Sequence, residues 1–182
     1  MTENKINNRK KKRNDHLVTI RCMTIDDIAP VFHLGENLFT LEFSPNLYRT
    51  WDEYEVISNF QNDQEFCFVA EDDDEIVGFL ISTIIAKRHS SWRYGYLIWL
   101  GVAPSHQSEG VASRLFHHFR NVMIKNGVRM LLVDTEADNH SALQFFEKMG
   151  FEKPKKHIYL SLNLDNAHTL HKEKEKKKNH KE

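Results

Sequence analysis

The run YLIWLGVAP, Tyr96 to Pro104, leads directly into SHQSEGVASRLFHHF, Ser105 to Phe119, and this junction constrains the fold more than any other stretch of the chain. The first run is apolar and aromatic, which reads as a strand that Pro104 ends. In the second, Val111, Leu115, Phe119, Val122 and Met123 recur at spacings of three and four, the period of one helix face. The helix is predicted from Gly110 to about Asn126, with Gly127 ending it. Gly110, Val111 and Ala112 stand at its mouth. The first amides of a helix lack intrahelical partners and carry the positive end of its dipole, so such a mouth seats phosphate groups. Glycine lets a bulky anion approach without a Cβ in the way. The loop lacks the Lys-Ser/Thr of a nucleoside-triphosphate loop, since Arg114 and Leu115 are not that pair, and it lacks the three-glycine dinucleotide pattern. A short glycine pattern alone is also compatible with a plain helix start.

A strand, a sharp turn and a helix need further layers to cover them. The chain has 182 residues, 40% of them hydrophobic and 12 of them phenylalanine, enough for one domain with a packed interior. HLVTIRCMT reads as a first strand. Thr24, Asp26 and Asp27 can start a helix that runs to Phe39, because hydroxyls cap and acids favour the first turn. SPNLYRTWDEYEVISNF reads as a second helix, with Ser44 as cap and Pro45 in its first turn. EFCFVAED and EIVGFLISTIIAK are two β-rich runs around an acidic tip, a hairpin whose aspartates mark a solvated turn. VRMLLVDTE has the continuous apolar centre of a strand covered on both faces. Asn139 caps a short helix, HSALQFFEKM, that Gly150 stops, and HIYLSLNL is a last alternating strand. The predicted order is β-α-α-β-β-β-α-β-α-β. This is an α/β (α+β) fold: a mixed, mostly antiparallel sheet flanked by helices.

Charge divides the chain into three parts. Residues 1–16 carry six Lys/Arg against two acids, a net +4, and residues 165–182 carry six Lys against four acids, a net +2. With an overall charge of -1, the body between them holds -7. The ends are poor in apolar residues and cannot offset ordering entropy, so both are expected to be disordered tails around a domain at 17–164. An acidic body argues against specific nucleic-acid binding and suits a cationic acceptor. The cysteines, Cys22 and Cys67, lie far apart in apolar surroundings and read as reduced, buried thiols. With no membrane-length apolar run and a polar, basic N-terminus, the expected location is cytoplasmic, with no membrane partner. No metal framework is visible, and His117 and His118, being adjacent, point in different directions on a helix.

Two segments together resemble a known family. VAPSHQSEGVASRL is similar to motif A of the GNAT superfamily of N-acetyltransferases, Gln/Arg-x-x-Gly-x-Gly/Ala, at Gln107, Gly110 and Ala112. NHSALQFFEKMGF, Asn139 to Phe151, resembles that family's later segment Asn-x-x-Ala-x-x-Phe-Tyr-x-x-x-Gly-Phe. The two lie in the family's order with a strand between them, and the element order over about Leu17 to Leu164 agrees. The resemblance implies that strand Leu97–Val102 splays from the strand at Met130–Thr135, with acetyl-CoA in the V between them. Backbone groups at Leu100, Gly101 and Val102 would pair with the pantetheine arm. Gln107, Ser108, Glu109, Gly110, Val111 and Ala112 would hold the diphosphate. Asn139, Ala142 and Phe146 would border the pantetheine and sulfur end.

The implied activity is transfer of the acetyl group to a primary amine of a protein, peptide or small molecule. A lysine-type amine has a pKa near ~10.4, so a base or a desolvating pocket must help. Asp134 falls where a branch of the family, the ribosomal-protein N-terminal acetyltransferases, places a glutamate. Glu136, two residues on, would share its strand face. Glu42 is a third candidate base, in a linker that borders the family's acceptor site, and Glu36, Tyr48 and Trp51 would shape the same pocket. A backbone N–H near Leu100 or Gly101 could stabilise the oxyanion. Phe146 departs from the pattern, because many relatives carry a tyrosine there to protonate the leaving thiolate. A water or Tyr96 could substitute, and a catalytically weak or silent acyl-CoA-binding regulatory module is the alternative. Oligomerisation is left open by these residues.

Overall fold

The computed structural model of the chain describes residues 18–40, 50–86, 91–152, 154–155, 158 and 160. Both charged tails, Glu42, Ser44, Pro45 and Tyr48 lie outside the described residues. The chain divides into two packed units, Met1–Met149 and Gly150–Glu182. In the second, the expected last strand falls largely outside the described residues, and its described members Ile158 and Leu160 are exposed and in no regular element.

The first unit runs β1 (Thr19–Cys22), α1 (Ile28–Leu38), α2 (Glu53–Asp63), β2 (Cys67–Asp72), β3 (Glu75–Ala86), β4 (Arg93–Val102), α3 (Val111–Lys125), β5 (Met130–Leu132) and α4 (His140–Lys148). Single 3-10 turns at Ile25–Asp27, Gln64–Phe66 and Pro104–His106 link some of them. The five strands lie side by side in chain order. β1 to β4 pair antiparallel, and β5 adds to β4 in parallel. The β2–β3 hairpin turns on Asp73 and Asp74 at φ +48° and +64°, a two-residue turn of the left-handed kind that short polar side chains tolerate. Among the described residues no helix is long and apolar enough to cross a membrane.

Strand alternation sends side chains to both faces of the sheet. On one face Cys67, Val69, Phe79, Ile81 and Trp99 pack with Val31 of α1 and with Val56 and Phe60 of α2. On the other, Phe68 meets His118 of α3 edge to face at 4.8 Å, and a Cβ at Gly78 would press on Val111 and Leu115 at 3.3 Å. Leu115, Phe116, Phe119 and Met123 of α3 are buried, each such side chain contributing roughly 1.5–3 kcal/mol. Trp51 fits against α1 because position 35 is glycine: a Cβ there would lie 2.1 Å from its indole. The indole N–H donates to the Phe32 carbonyl at 3.0 Å.

Several expectations need correction. The second helix begins at Glu53 rather than Ser44: Asp52 is its cap, accepting from the Glu55 N–H at 2.7 Å, and residues 50–52 are not helical. β5 is a three-residue strand at the end of the described sheet order, and Met130 and Leu132 stay partly exposed, so its apolar run does not mean cover on both faces. Cys22 sits on edge strand β1 and is exposed. Cys67 is buried, and burial pushes its thiol up to about 12.

Candidate active site

A bulge in β4 shapes the site. In the β3–β4 ladder Leu97 pairs with Ser82 and Trp99 with Ile81, so Ile98 is one residue too many. An extra residue bends its strand and moves the following side chains to the opposite face. The glycines on either side show the switch. A Cβ on Gly95 would meet Met123 of α3 and Leu131 of β5, whereas one on Gly101 would meet Leu38 of α1 and Phe79. Six residues apart in a regular strand, the two would share a face. The parallel ladder with β5 covers Tyr94 to Tyr96 and ends just before the bulge. From there Leu97 to Val102 continue along β3, with Leu100, Gly101 and Val102 opposite Leu80, Phe79 and Gly78. β4 and β5 therefore share only the rungs from Tyr94 to Tyr96, and Leu97 to Val102 of β4 continue past the end of β5 toward the helix mouth.

The turn out of β4 is tied down at successive points. Ala103 N–H donates to Val77 O at 2.8 Å, and His106 N–H to Ala103 O at 2.9 Å. The Gln107 amide donates to Val102 O at 3.2 Å. Ser108 and Gly110 then adopt left-handed backbone, φ +65° and +85°. For serine this conformation costs about 1–2 kcal/mol; for glycine it is nearly free. A Cβ at Gly110 would meet nothing within 4 Å, so the helix mouth faces open space. Arg114 N–H to Gly110 O, 3.0 Å, is the first helical bond, and the amides of Val111, Ala112 and Ser113 precede it. Left-handed residues beside a helix N-terminus turn successive N–H groups into an anion-binding concavity. The Arg114 side chain donates to Val18 O, fastening α3 to the residue before β1.

At the end of the β4–β5 ladder, Tyr96 donates its hydroxyl to an Asp134 carboxylate oxygen. Asp134 and Glu136 are exposed and lie past Leu132, where the strand has ended, so the shared strand face expected of them does not exist. Asn139 caps α4, its side-chain oxygen accepting from the Ala142 N–H at 3.0 Å. Phe146 is half-buried on α4 and packs edge to face on Phe145 at 5.2 Å. On the face of the sheet that α1 and α2 cover, Phe39, Trp51, Phe79 and Trp99 form an aromatic cluster with ring centroids 4.7–6.1 Å apart. Trp99 donates its indole N–H to Glu55 at 3.1 Å. Glu36 pairs with His33 on the exposed side of α1.

Sequence reasoning did not find the bulge, which has no signature in the strand, nor the contact of His106 with Asp72, which are 34 residues apart. It named Tyr96 and Asp134 separately, without their bond.

Comparison with known proteins gives the family and the fold. A family model described as the acetyltransferase (GNAT) family matches residues 35–151. N-alpha-acetyltransferase 30 of Schizosaccharomyces pombe is 32% identical over 103 residues, which span 57% of this chain and 68% of that protein. Among solved structures, the NatC complex bound to Gag peptide and CoA superposes with a TM-score of 0.66 at 18% identity, covering 76% of this chain and 86% of the matched one. An aminoglycoside N-acetyltransferase in complex with CoA gives 0.65 at 18% identity over 84% and 99%.

Proposed function

The chain belongs to the acetyltransferase (GNAT) family, and we propose that it transfers the acetyl group of acetyl-CoA to the free amine at the N-terminus of a peptide or protein. The observation that carries this reading is the run Leu97 to Val102 of β4, which continues past the end of β5 and leads into the glycine helix mouth. The residues fit the co-substrate. Gln107 to Ala112 offer amides and room to a diphosphate, and the backbone of Leu100 to Val102 offers strand-like pairing to the pantetheine amides. The Asn139 side chain, already the cap of α4, extends that hold near Ala142 and Phe146. An N-terminal acceptor is favoured by the 32% identity to an N-alpha-acetyltransferase.

Acetyl-CoA supplies an activated acyl carbon and a thiolate leaving group. The protein's tasks are to aim that carbon, stabilise the oxyanion and accept a proton from the amine. An N-terminal amine has a pKa of about 7.7–8.0, so removing its proton is far easier than for a lysine. Asp134 takes that proton, held in position by the Tyr96 hydroxyl. A backbone N–H at Leu100 or Gly101 faces the developing oxyanion. The departing thiol has a pKa near ~8.5, a tolerable leaving group without the acid that Phe146 cannot be. Glu136 and Glu42 remain secondary candidates for the base.

The test is acetyl-CoA consumption against peptides with free and blocked N-termini, lysine peptides and aminoglycosides, with mass spectrometry of the products. Acetylation confined to free N-termini supports the proposal. Turnover only on small-molecule amines overturns the acceptor assignment. Binding of acetyl-CoA without turnover on any amine leaves a silent acyl-CoA-binding module and sinks the catalytic reading.

A further inference from the structure

Resting on the diphosphate seat proposed above, we infer that His106 is a positioning residue for that seat: its imidazole ties the β4–α3 connection to the β2–β3 hairpin and holds the loop Gln107 to Gly110 in its binding shape. His106 Nε2 lies 3.1 Å from Asp72 Oδ2, and Nδ1 lies 2.8 Å from Ser105 Oγ. A carboxylate only accepts, so Nε2 carries a hydrogen and donates to Asp72; in the neutral ring Nδ1 then accepts the Ser105 hydroxyl. Both side chains of the His106–Asp72 pair are 20% exposed, which sets the contact apart from a solvated surface ion pair.

The position of this tie gives it a purpose. Asp72 closes β2 beside the hairpin turn, and β3 stands between β2 and β4 in the sheet. The contact therefore reaches across a strand and fixes the loop to the rigid body of the sheet. The loop needs such fixing. Ser108 holds a left-handed backbone unusual for serine, and such conformations persist where the surroundings over-determine them. The Gln107 amide holds the loop to its own strand at Val102 O; His106 holds it from the side. The next residues, Gln107 to Ala112, are those assigned to the diphosphate. Asp134 and the aromatic cluster lie on other elements, so loss of the tie acts on one substrate and spares the other.

The experiment uses the full chain as wild type, His106→Ala, His106→Gln, Asp72→Ala and the His106→Ala/Asp72→Ala double variant. Acetyl-CoA affinity is read by calorimetry and both KM values by steady-state kinetics. In His106→Ala and Asp72→Ala the Kd and KM for acetyl-CoA are expected to rise about tenfold, the loss of roughly one partly buried hydrogen bond. The acceptor KM, and kcat at saturating acetyl-CoA, stay within about twofold. The double variant is no weaker than either single one, because both remove the same contact. His106→Gln, which keeps an N–H donor, recovers most of the affinity. Hydrogen exchange at residues 107–113 without ligand rises in His106→Ala while β3 amides are unchanged. If wild type binds acetyl-CoA and His106→Ala binds it equally well, the tie is overturned and the proposed function stands. If wild type takes up no acetyl-CoA, the proposed function falls and the inference with it. An equal loss in both KM values, or no rescue by glutamine, makes His106 a general structural residue and overturns its positioning role.

Discussion

The hydroxyl of Tyr96 donates to the carboxylate of Asp134, and this bond joins β4 to the segment after β5 just where their ladder ends. Tyr96 is the last β4 residue paired with β5, opposite Leu132, and Asp134 lies two residues beyond that partner. The bond holds an exposed carboxylate at the corner where that ladder ends, along β4 from the helix mouth. If the helix mouth takes the diphosphate, the acyl end of the carrier lies toward this corner.

Asp134→Asn is accordingly expected to lower kcat by about a hundredfold, the low end of what general-base catalysis contributes. Tyr96→Phe lowers it by about tenfold, and the double variant is no worse than Asp134→Asn alone, because the hydroxyl acts through the carboxylate. The KM for acetyl-CoA stays within twofold in all three. Steady-state kinetics with the best peptide from the acceptor panel reads each number. A fully active Asp134→Asn enzyme would move the base to Glu136 or Glu42.

Phe146→Tyr restores the side chain that many relatives carry, and it is expected to change kcat by less than about twofold across pH 6–9. The reason is the leaving group: a thiolate with a pKa near ~8.5 departs without a proton donor. A pH–rate profile of the variant beside wild type measures this. A large gain confined to the tyrosine variant would mean that wild type is limited by the missing acid.

Two effects meet at Gly110 and can be separated. Gly110→Ala places a Cβ on left-handed backbone and costs about 1–2 kcal/mol of stability, although open space surrounds the new atom. Gly110→Asp adds a carboxylate at the helix mouth and is expected to weaken acetyl-CoA binding at least a hundredfold beyond the alanine variant. Thermal melts report the first effect and calorimetry the second. Equal affinities for the alanine and aspartate variants would remove the diphosphate from this loop.

The acid limb of stability is assigned in part to Asp27. Arg21 presents Nη1 and Nη2 to its two oxygens at 2.6 and 2.9 Å, and Thr24 adds its N–H and hydroxyl at 2.7 and 2.8 Å. Chiefly through the Arg21 guanidinium, and against the opposing effect of burial, the carboxyl is held down at about 2, below its ordinary 3.8. A lowered carboxyl contributes its full stability above the unfolded value and loses it as pH falls through the folded one. The contribution is therefore complete above roughly pH 5, falls as pH drops toward the folded value and is gone near roughly pH 1. Asp27→Asn is expected to cost about 1.5–2 kcal/mol at pH 7, the lower part of the range for bonds to charged groups because Arg21 is about a third exposed. Urea unfolding at pH 7 and across pH 4 to 2 should show the gap from wild type narrowing. A gap that is constant with pH would remove the ion pair from the explanation.

The sequence by itself determined which segments become strands and helices in the centre of the chain, because hydrophobic period, caps and breakers act over a few residues. The helix after Gly110, the acidic hairpin and the Asn139 cap were all legible in that way. The proposal of an anion seat at that helix mouth rests on the same local physics. Where a local signal competed with a better one nearby, the reading slipped: Asp52 caps α2 in place of Ser44. The apolar run at Met130 suggested a buried strand, but burial depends on neighbours that the run does not contain. Only the tertiary structure decided that Ile98 bulges, that β4 changes faces there, and that Tyr96 meets Asp134 and His106 meets Asp72. Each of these depends on register between strands or on contacts between residues more than thirty positions apart, and local propensity carries no information about either.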